Sequence, residues 1–190
     1  EISALALLSA DRMAVLQSKL LSIVDHKKQV VLQQISLSDS SWSLGSNPDG
    51  DWLAVGDNRG KISVYQSADV GDFVLSSEAS VHQGSVTSIC FEANELRFYS
   101  AGSDKKLFST HAQGALQPLD KGRSSNHDKT INSILLGKER FFTASSDTTI
   151  KSWAYAGGQP VTFKDCNTKL TDIAPILYRD KPCLLAVGTD

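Results

Sequence analysis

Three aspartates, Asp104, Asp147 and Asp190, each follow an apolar run of strand length, and successive members of the set lie 43 residues apart. The fullest copy of the unit around them runs from His127 to Trp153, HDKTINSILLGKERFFTASSDTTIKSW. It holds two apolar stretches, INSILL and RFFTAS, then the polar turn SDTT, then a third stretch opening on IKSW. Such a pattern reads as three antiparallel strands. One unit cannot bury both faces of so small a sheet. A spacing inside the roughly 40 to 45 residues of a four-stranded repeat therefore requires neighbouring sheets that cover one another.

Upstream, HQGSVTSICFEANELRFYSAGSDKKLFSTH sets His82, Ser100 and Asp104 where the fuller copy has His127, Thr143 and Asp147, with Thr110 in place of Trp153. These residue types suit a buried polar relay. A turn Asp accepts hydrogen bonds from an imidazole and from turn amides, the imidazole and an indole N–H both reach a hydroxyl, and a low dielectric strengthens each bond. His127, Thr143, Asp147 and Trp153 stand in the order and spacing of the tetrad of the tryptophan-aspartate (WD) repeat, and the chain resembles that family. The resemblance implies an all-β WD-repeat β-propeller. Four blades plus a partial fifth are expected, starting near residues 2, 40, 85, 130 and 170, with 1–190 forming part of one propeller domain. Propellers of the family usually close with seven or more blades, and the chain does not begin with Met. It is thus expected to be an excerpt of a seven-or-more-bladed propeller whose remaining blades come from the rest of a longer chain, the alternative being completion by another molecule.

Taken in order, the chain opens with ISALALL, RMAVLQ, KLLSIV and QVVLQQI, joined by short polar spacers that fit hairpins. A helix over the first twenty residues competes, because Ala and Leu favour it, but β-branched residues and alternation from Ala14 onward favour strands. In SSWSLGSNPDGDWLAVGDNRGKISVYQ, the residues Asn47 to Gly50 form a turn between strands. Matching Ile62 to Leu107 and Ile150 puts Tyr65 at the Trp position and Arg59 at the turn Asp position, so this copy has no tetrad. Outer strands are expected near FVLSS and in QPVTFKDC, while AQGALQPLDKGRSSN, with its Pro and Gly, allows at most a short edge strand. LTDIAPILY and PCLLAVG begin a further sheet.

No catalytic, cofactor or metal site emerges. GDNRGK has three residues between its glycines and Ile62 in place of the Ser or Thr of a phosphate-binding loop, and it joins two strands. His26, His82, His111 and His127 are too scattered for a metal set. A Ser100, His82, Asp104 triad can be drawn, but the arrangement recurs around Asp147 at the repeat period, which marks it as structural. Cys90, Cys166 and Cys183 form no C-x-x-C pair and read as small buried apolar residues in a reducing compartment. There is no glycosylation sequon, no apolar run of about 18 residues, and no basic leader before ISALALL, so the cytoplasm or nucleus is the expected location.

With no enzyme chemistry in view, the resemblance implies a non-catalytic protein-protein interaction scaffold, a subunit of a multiprotein complex that binds a protein or peptide. Partners of the family commonly dock on the loops entering each first strand and on the Asp-bearing turns. The matching positions are Ser85, Thr87 and Ser103 in one unit and Thr130, Asn132 and Ser146 in the next, with Trp42 at or beside the equivalent of Thr87 in the unit before. The alternative is a nucleic-acid-binding propeller using Lys105, Lys106, Lys121, Arg123 and Lys129. A net charge of −2 gives that alternative no overall electrostatic drive, and no aromatics interleave the basic residues.

Overall fold

A computed structural model describes residues 1–68, 72–116, 123–124, 127–164, 166–178 and 181–189, with Arg123, Ser124, Tyr178 and Pro182 described by backbone alone. The first sheet contains β1 (Ala4–Leu7), β2 (Arg12–Gln17), β3 (Leu20–Asp25) and β4 (Val30–Ser36). The second contains β5 (Ser41–Ser46), β6 (Trp52–Asp57), β7 (Lys61–Ser67) and β8 (Phe73–Ser80). The third contains β9 (Val86–Phe91), β10 (Arg97–Gly102), β11 (Lys106–His111) and the two-residue β12 (Arg123–Ser124). The fourth contains β13 (Ile131–Leu136), β14 (Arg140–Ser145), β15 (Ile150–Ala154) and β16 (Val161–Phe163), and β17 (Lys169–Tyr178) with β18 (Lys181–Thr189) forms a two-stranded fifth. Every sheet is an antiparallel meander in chain order. Among the described residues there is no helix; the Ala- and Leu-rich start is strand because Ala14 and Leu16 are buried together with Leu21 and Ile23 of the next strand.

Successive first strands pack on one another, β1 on β5, β5 on β9, β9 on β13 and β13 on β17, so the sheets form a row. Each middle sheet then buries both faces, which explains strands such as WLAVGD that are apolar almost throughout. Along β6, Leu53 and Val55 join the core shared with the first sheet, whereas Trp52 and Ala54 join the core shared with the third. The alternation repeats in β10, where Phe98 faces back towards the second sheet and Tyr99 and Ala101 face the fourth. At roughly 1.5 to 3 kcal/mol for each large apolar side chain buried, these interfaces hold the row together.

Polar side chains add bonds between neighbouring first strands. Ser88 Oγ accepts from the Ile134 amide at 3.1 Å, and Cys90 Sγ donates to the Ile134 carbonyl at 3.2 Å. Burial, assisted by the Asp172 carboxylate, pushes the Cys90 thiol up to about 11. Cys166 is half-buried and Cys183 is exposed, so the expectation of a buried apolar role fails for Cys183 on β18, the edge strand of the fifth sheet.

The sequence GDNRGK is the β6–β7 hairpin and opens no helix. Its Gly60 has φ +91°, and a Cβ there would lie 2.0 Å from the His82 carbonyl oxygen, so the loop entering the third sheet can seat itself only against glycine. The seat is bonded, because the Val81 and His82 amides both donate to the Gly60 carbonyl. The same turn position is Lys105 in the third sheet and Thr148 in the fourth, with φ +65° and +70°.

Candidate functional site

In the fourth sheet the loop before β13 supplies His127, β14 supplies Thr143, β15 supplies Trp153, and the β14–β15 turn supplies Asp147. The structure brings them into one chain of hydrogen bonds. Trp153 Nε1 donates to Thr143 Oγ1 at 3.0 Å, Thr143 Oγ1 donates to His127 Nε2 at 2.8 Å, and His127 Nδ1 donates to Asp147 Oδ2 at 2.8 Å. The remaining carboxylate capacity is used by the Asp128 and Thr149 amides and by Thr149 Oγ1. Burial alone would raise the Asp147 carboxyl. The bonds from Thr149, Asp128 and His127 outweigh it and hold the group at about 2. Burial lowers His127, against the pull of Asp147.

The third sheet repeats the carboxylate end of the relay. His82 lies 2.9 Å from Asp104 Oδ1 and 2.9 Å from Ser100 Oγ, and the Gln83 and Lys106 amides cap the carboxylate. Burial again acts to raise Asp104, and the His82 and amide bonds lower it below the usual carboxylate range. At the far end Thr110 is buried, and its Oγ1 has no hydrogen-bond partner among the described residues. Among the described residues, no member of either relay lines the cavity beside Phe91, Arg97 and Tyr155 or the one beside Asp57 and Glu78. From the carboxylate to the strand hydroxyl, both relays are buried polar groups that satisfy one another. Among the described residues no group of three His, Cys, Asp or Glu is placed to hold a metal ion.

The second sheet differs from its sequence reading in one respect. Arg59 stands at the turn position, but the carboxylate that caps the turn is Asp57, two residues earlier, whose Oδ1 accepts from the Arg59 amide at 2.8 Å and the Lys61 amide at 2.9 Å. Arg59 itself pairs with Asp39 at 3.3 Å. The signal in the sequence was an Asp directly ahead of a tight Asn-Arg-Gly turn, a residue type that habitually bonds amides two residues on.

On the face formed by these turns and the loops entering the first strands, each first strand from β5 onward carries a β-bulge at one corresponding position. The extra residue is Trp42 in β5, Thr87 in β9, Asn132 in β13 and Thr171 in β17. Thr87 Oγ1 faces the Ile131 carbonyl of the next strand, and Asn132 Nδ2 donates to the Leu170 carbonyl at 2.6 Å and to Ser146 Oγ at 2.8 Å. Ser85 Oγ donates to the Asn58 carbonyl at 3.2 Å, and Thr130 is half-buried. Ser103 is exposed. Trp42 is 55% exposed, so the bulge that points Thr87 and Asn132 at the next sheet leaves a large aromatic in solvent here.

The basic residues are less gathered. Lys105 and Lys129 are exposed and Lys106 is half-buried, whereas Lys121, the Arg123 side chain and Asp190 lie outside the described residues.

Residues 73–108 match the family described as WD domain, G-beta repeat. The chain is 25% identical over 158 residues to the pre-rRNA-processing protein crb3/ipi3 of Schizosaccharomyces pombe, which covers 75% of this chain and 35% of that protein. It is 26% identical over 117 residues to an uncharacterized WD repeat-containing protein of the same organism, covering 62% of this chain and 19% of the other. The solved structure of RRP9 WD40 repeats shares the fold over 90% of this chain and 53% of its own, with a TM-score of 0.77 at 17% identity. The chain therefore spans only about a fifth to a third of the length of these two curated relatives.

Proposed function

The chain belongs to the WD-repeat β-propeller family, and we propose that within it the chain serves as a non-catalytic scaffold that docks a protein or peptide partner on the face carrying the bulges and Asp turns. The observation that carries this reading is Trp42. Aromatic anchors near the centre of an interface often contribute about 2 kcal/mol or more, whereas small polar residues at a rim contribute little. On the same face as Trp42, the half-buried Ser85, Thr87, Asn132 and Ser146 are already ordered by side-chain bonds within the fold, so docking on them would require little further side-chain ordering. The relative named for pre-rRNA processing supports a place in a nuclear multiprotein assembly.

The test is capture of partners from nuclear extract by the wild-type chain and by Trp42→Ala and Ser146→Arg, side by side. Trp42→Ala is expected to weaken capture at least tenfold with the melting temperature nearly unchanged, and Ser146→Arg to block it sterically. Normal capture by both variants would move the site off this face. A steep fall of binding with salt, abolished by nuclease, would replace the protein partner with nucleic acid held by Lys105 and Lys129.

A further inference from the structure

The second sheet aligns with the third at an offset of 45 residues, which places Leu37, Val55 and Tyr65 where the third has His82, Ser100 and Thr110 and the fourth has His127, Thr143 and Trp153. Leucine and valine make no relay. The space is instead a cavity of roughly 270 Å3, with Leu37, Val55, Tyr65 and Leu75 as apolar wall and Asp57 and Glu78 among its polar lining.

Asp57 is the unusual member. It is 4% exposed, one oxygen caps the turn, and Oδ2 is buried without a hydrogen-bond partner among the described residues. A buried carboxylate oxygen left bare is costly unless something completes it. Neither nearby cation bonds Asp57: Lys61, which lines the same cavity, has its Nζ 3.0 Å from Ser38 Oγ and 3.2 Å from Glu78 Oε2, and Arg59 pairs with Asp39. The cavity thus combines an apolar wall with a Lys61–Glu78 ion pair and one carboxylate, Asp57, that has no cation beside it among the described residues. That pairing of surfaces suits a cationic head on an aliphatic stem, and the volume admits such a side chain.

We infer that this cavity is a binding site for an arginine or lysine side chain of a protein partner, its cationic head bonding Asp57 Oδ2 and Glu78 while its stem lies along Leu37, Val55 and Leu75. Ser41 borders the cavity and directly precedes Trp42, so a partner peptide seated on the indole presents its next residues to the cavity mouth. The inference rests on the docking-face reading for its partner and adds the residue that the partner must carry. The loss of the relay in this sheet then has a use: Leu37 and Val55, in place of the imidazole and the hydroxyl, give the cavity the apolar wall that the partner's stem lies along.

The test titrates the full chain with short blocked glycine peptides that carry one arginine, one lysine or one citrulline, followed by NMR of the Asp57 to Lys61 turn amides. The arginine or lysine peptide is expected to shift those amides and to bind at least tenfold more tightly than the uncharged citrulline peptide, and the order of the first two identifies the head the site prefers. Asp57→Asn is expected to lower that affinity at least tenfold without lowering the melting temperature. Glu78→Gln, at a side chain 48% exposed and so harmless to folding, is expected to lower it several-fold. Equal binding of citrulline, or normal binding by both variants, overturns the proposal; should Asp57→Asn fail to fold, Glu78→Gln alone decides. Trp42→Ala is expected to leave peptide binding intact, so a failure of the docking face and a failure of the cavity give different results.

Discussion

The third and fourth sheets carry the same relay to different lengths. Both hold a buried His between a turn carboxylate and a strand hydroxyl, at 2.8 to 2.9 Å throughout. In the fourth sheet the chain continues to Trp153, whose ring stacks on Phe141 at 5.9 Å, while Phe141 stacks in turn on Tyr99 of the third sheet at 4.9 Å. In the third it stops at Ser100, short of Thr110, and the His82 ring instead meets the edge of Phe108 at 4.8 Å. The difference separates two jobs that the full tetrad combines. The carboxylate end orders the turn and the loop entering the sheet, which both sheets retain; the indole end fills the core between sheets, which only the fourth does.

If the jobs are separate, the indole should be the larger loss. Trp153→Thr, which converts the fourth sheet to the third's pattern, is expected to destabilise by about 3 to 5 kcal/mol in denaturant unfolding, through lost packing in the core with Tyr99 and Phe141. A loss below about 1 kcal/mol would show that the indole is dispensable. Asp147→Ala and Asp104→Ala come next, each expected to cost about 2 to 4 kcal/mol by leaving a buried imidazole and turn amides without an acceptor. A large disparity between the two would break the claim that the carboxylate ends are equivalent. Arg59→Ala, whose side chain is 76% exposed, should change little.

Acid sharpens the same comparison. Asp147 is lowered to about 2, so its contribution is complete above its unfolded value of 3.8 and is lost as pH falls from there through about 2. His127 is also lowered, so below about 6.5 the unfolded chain takes up a proton that the folded chain resists, and stability should already decline between pH 7 and 5. His127→Gln is expected to flatten that slope in denaturant midpoints measured against pH. Thr110→Val removes a buried hydroxyl without a partner and is expected to stabilise by about 1 kcal/mol; a destabilised variant would mean that the hydroxyl is satisfied in solution. The smallest effect is Thr148→Gly, which relieves a β-branched residue at φ +70° against the added entropy of glycine and is expected to gain about 0.5 kcal/mol in the same measurement.

The strands were legible because a sheet buried on both faces needs apolar residues almost without interruption, and INSILL, RFFTAS and WLAVGD supply them between clear turn signals. The tetrad residues were legible from the resemblance of their order and spacing to the WD repeat, and the spacing recurs because a relay of fixed length needs its members at fixed separations along the meander. Asp57 was not, because its role depends on the turn closing over it two residues away from the position that the repeat assigns. Nor was the exposure of Trp42. A bulge inserts one residue on one strand, and whether its side chain reaches the next sheet, as Asn132 does, or stands in solvent is settled by what the neighbouring sheet offers. The cavity beside Asp57 is further still from the sequence, since it is lined by residues of strands β4 to β8 and of the loop between the first two sheets that only the fold brings together.

Cys90 turns the seam between the third and fourth sheets into something that can be timed. Its thiol is tucked against the Ile134 carbonyl, and a pKa near 11 leaves almost no thiolate at neutral pH. An alkylating reagent should therefore consume the exposed Cys183 first and reach Cys90 only in moments when the two sheets part. The second wave of labelling is a clock for that breathing, native to the chain and sensitive to anything, a docked partner included, that clasps the two sheets together.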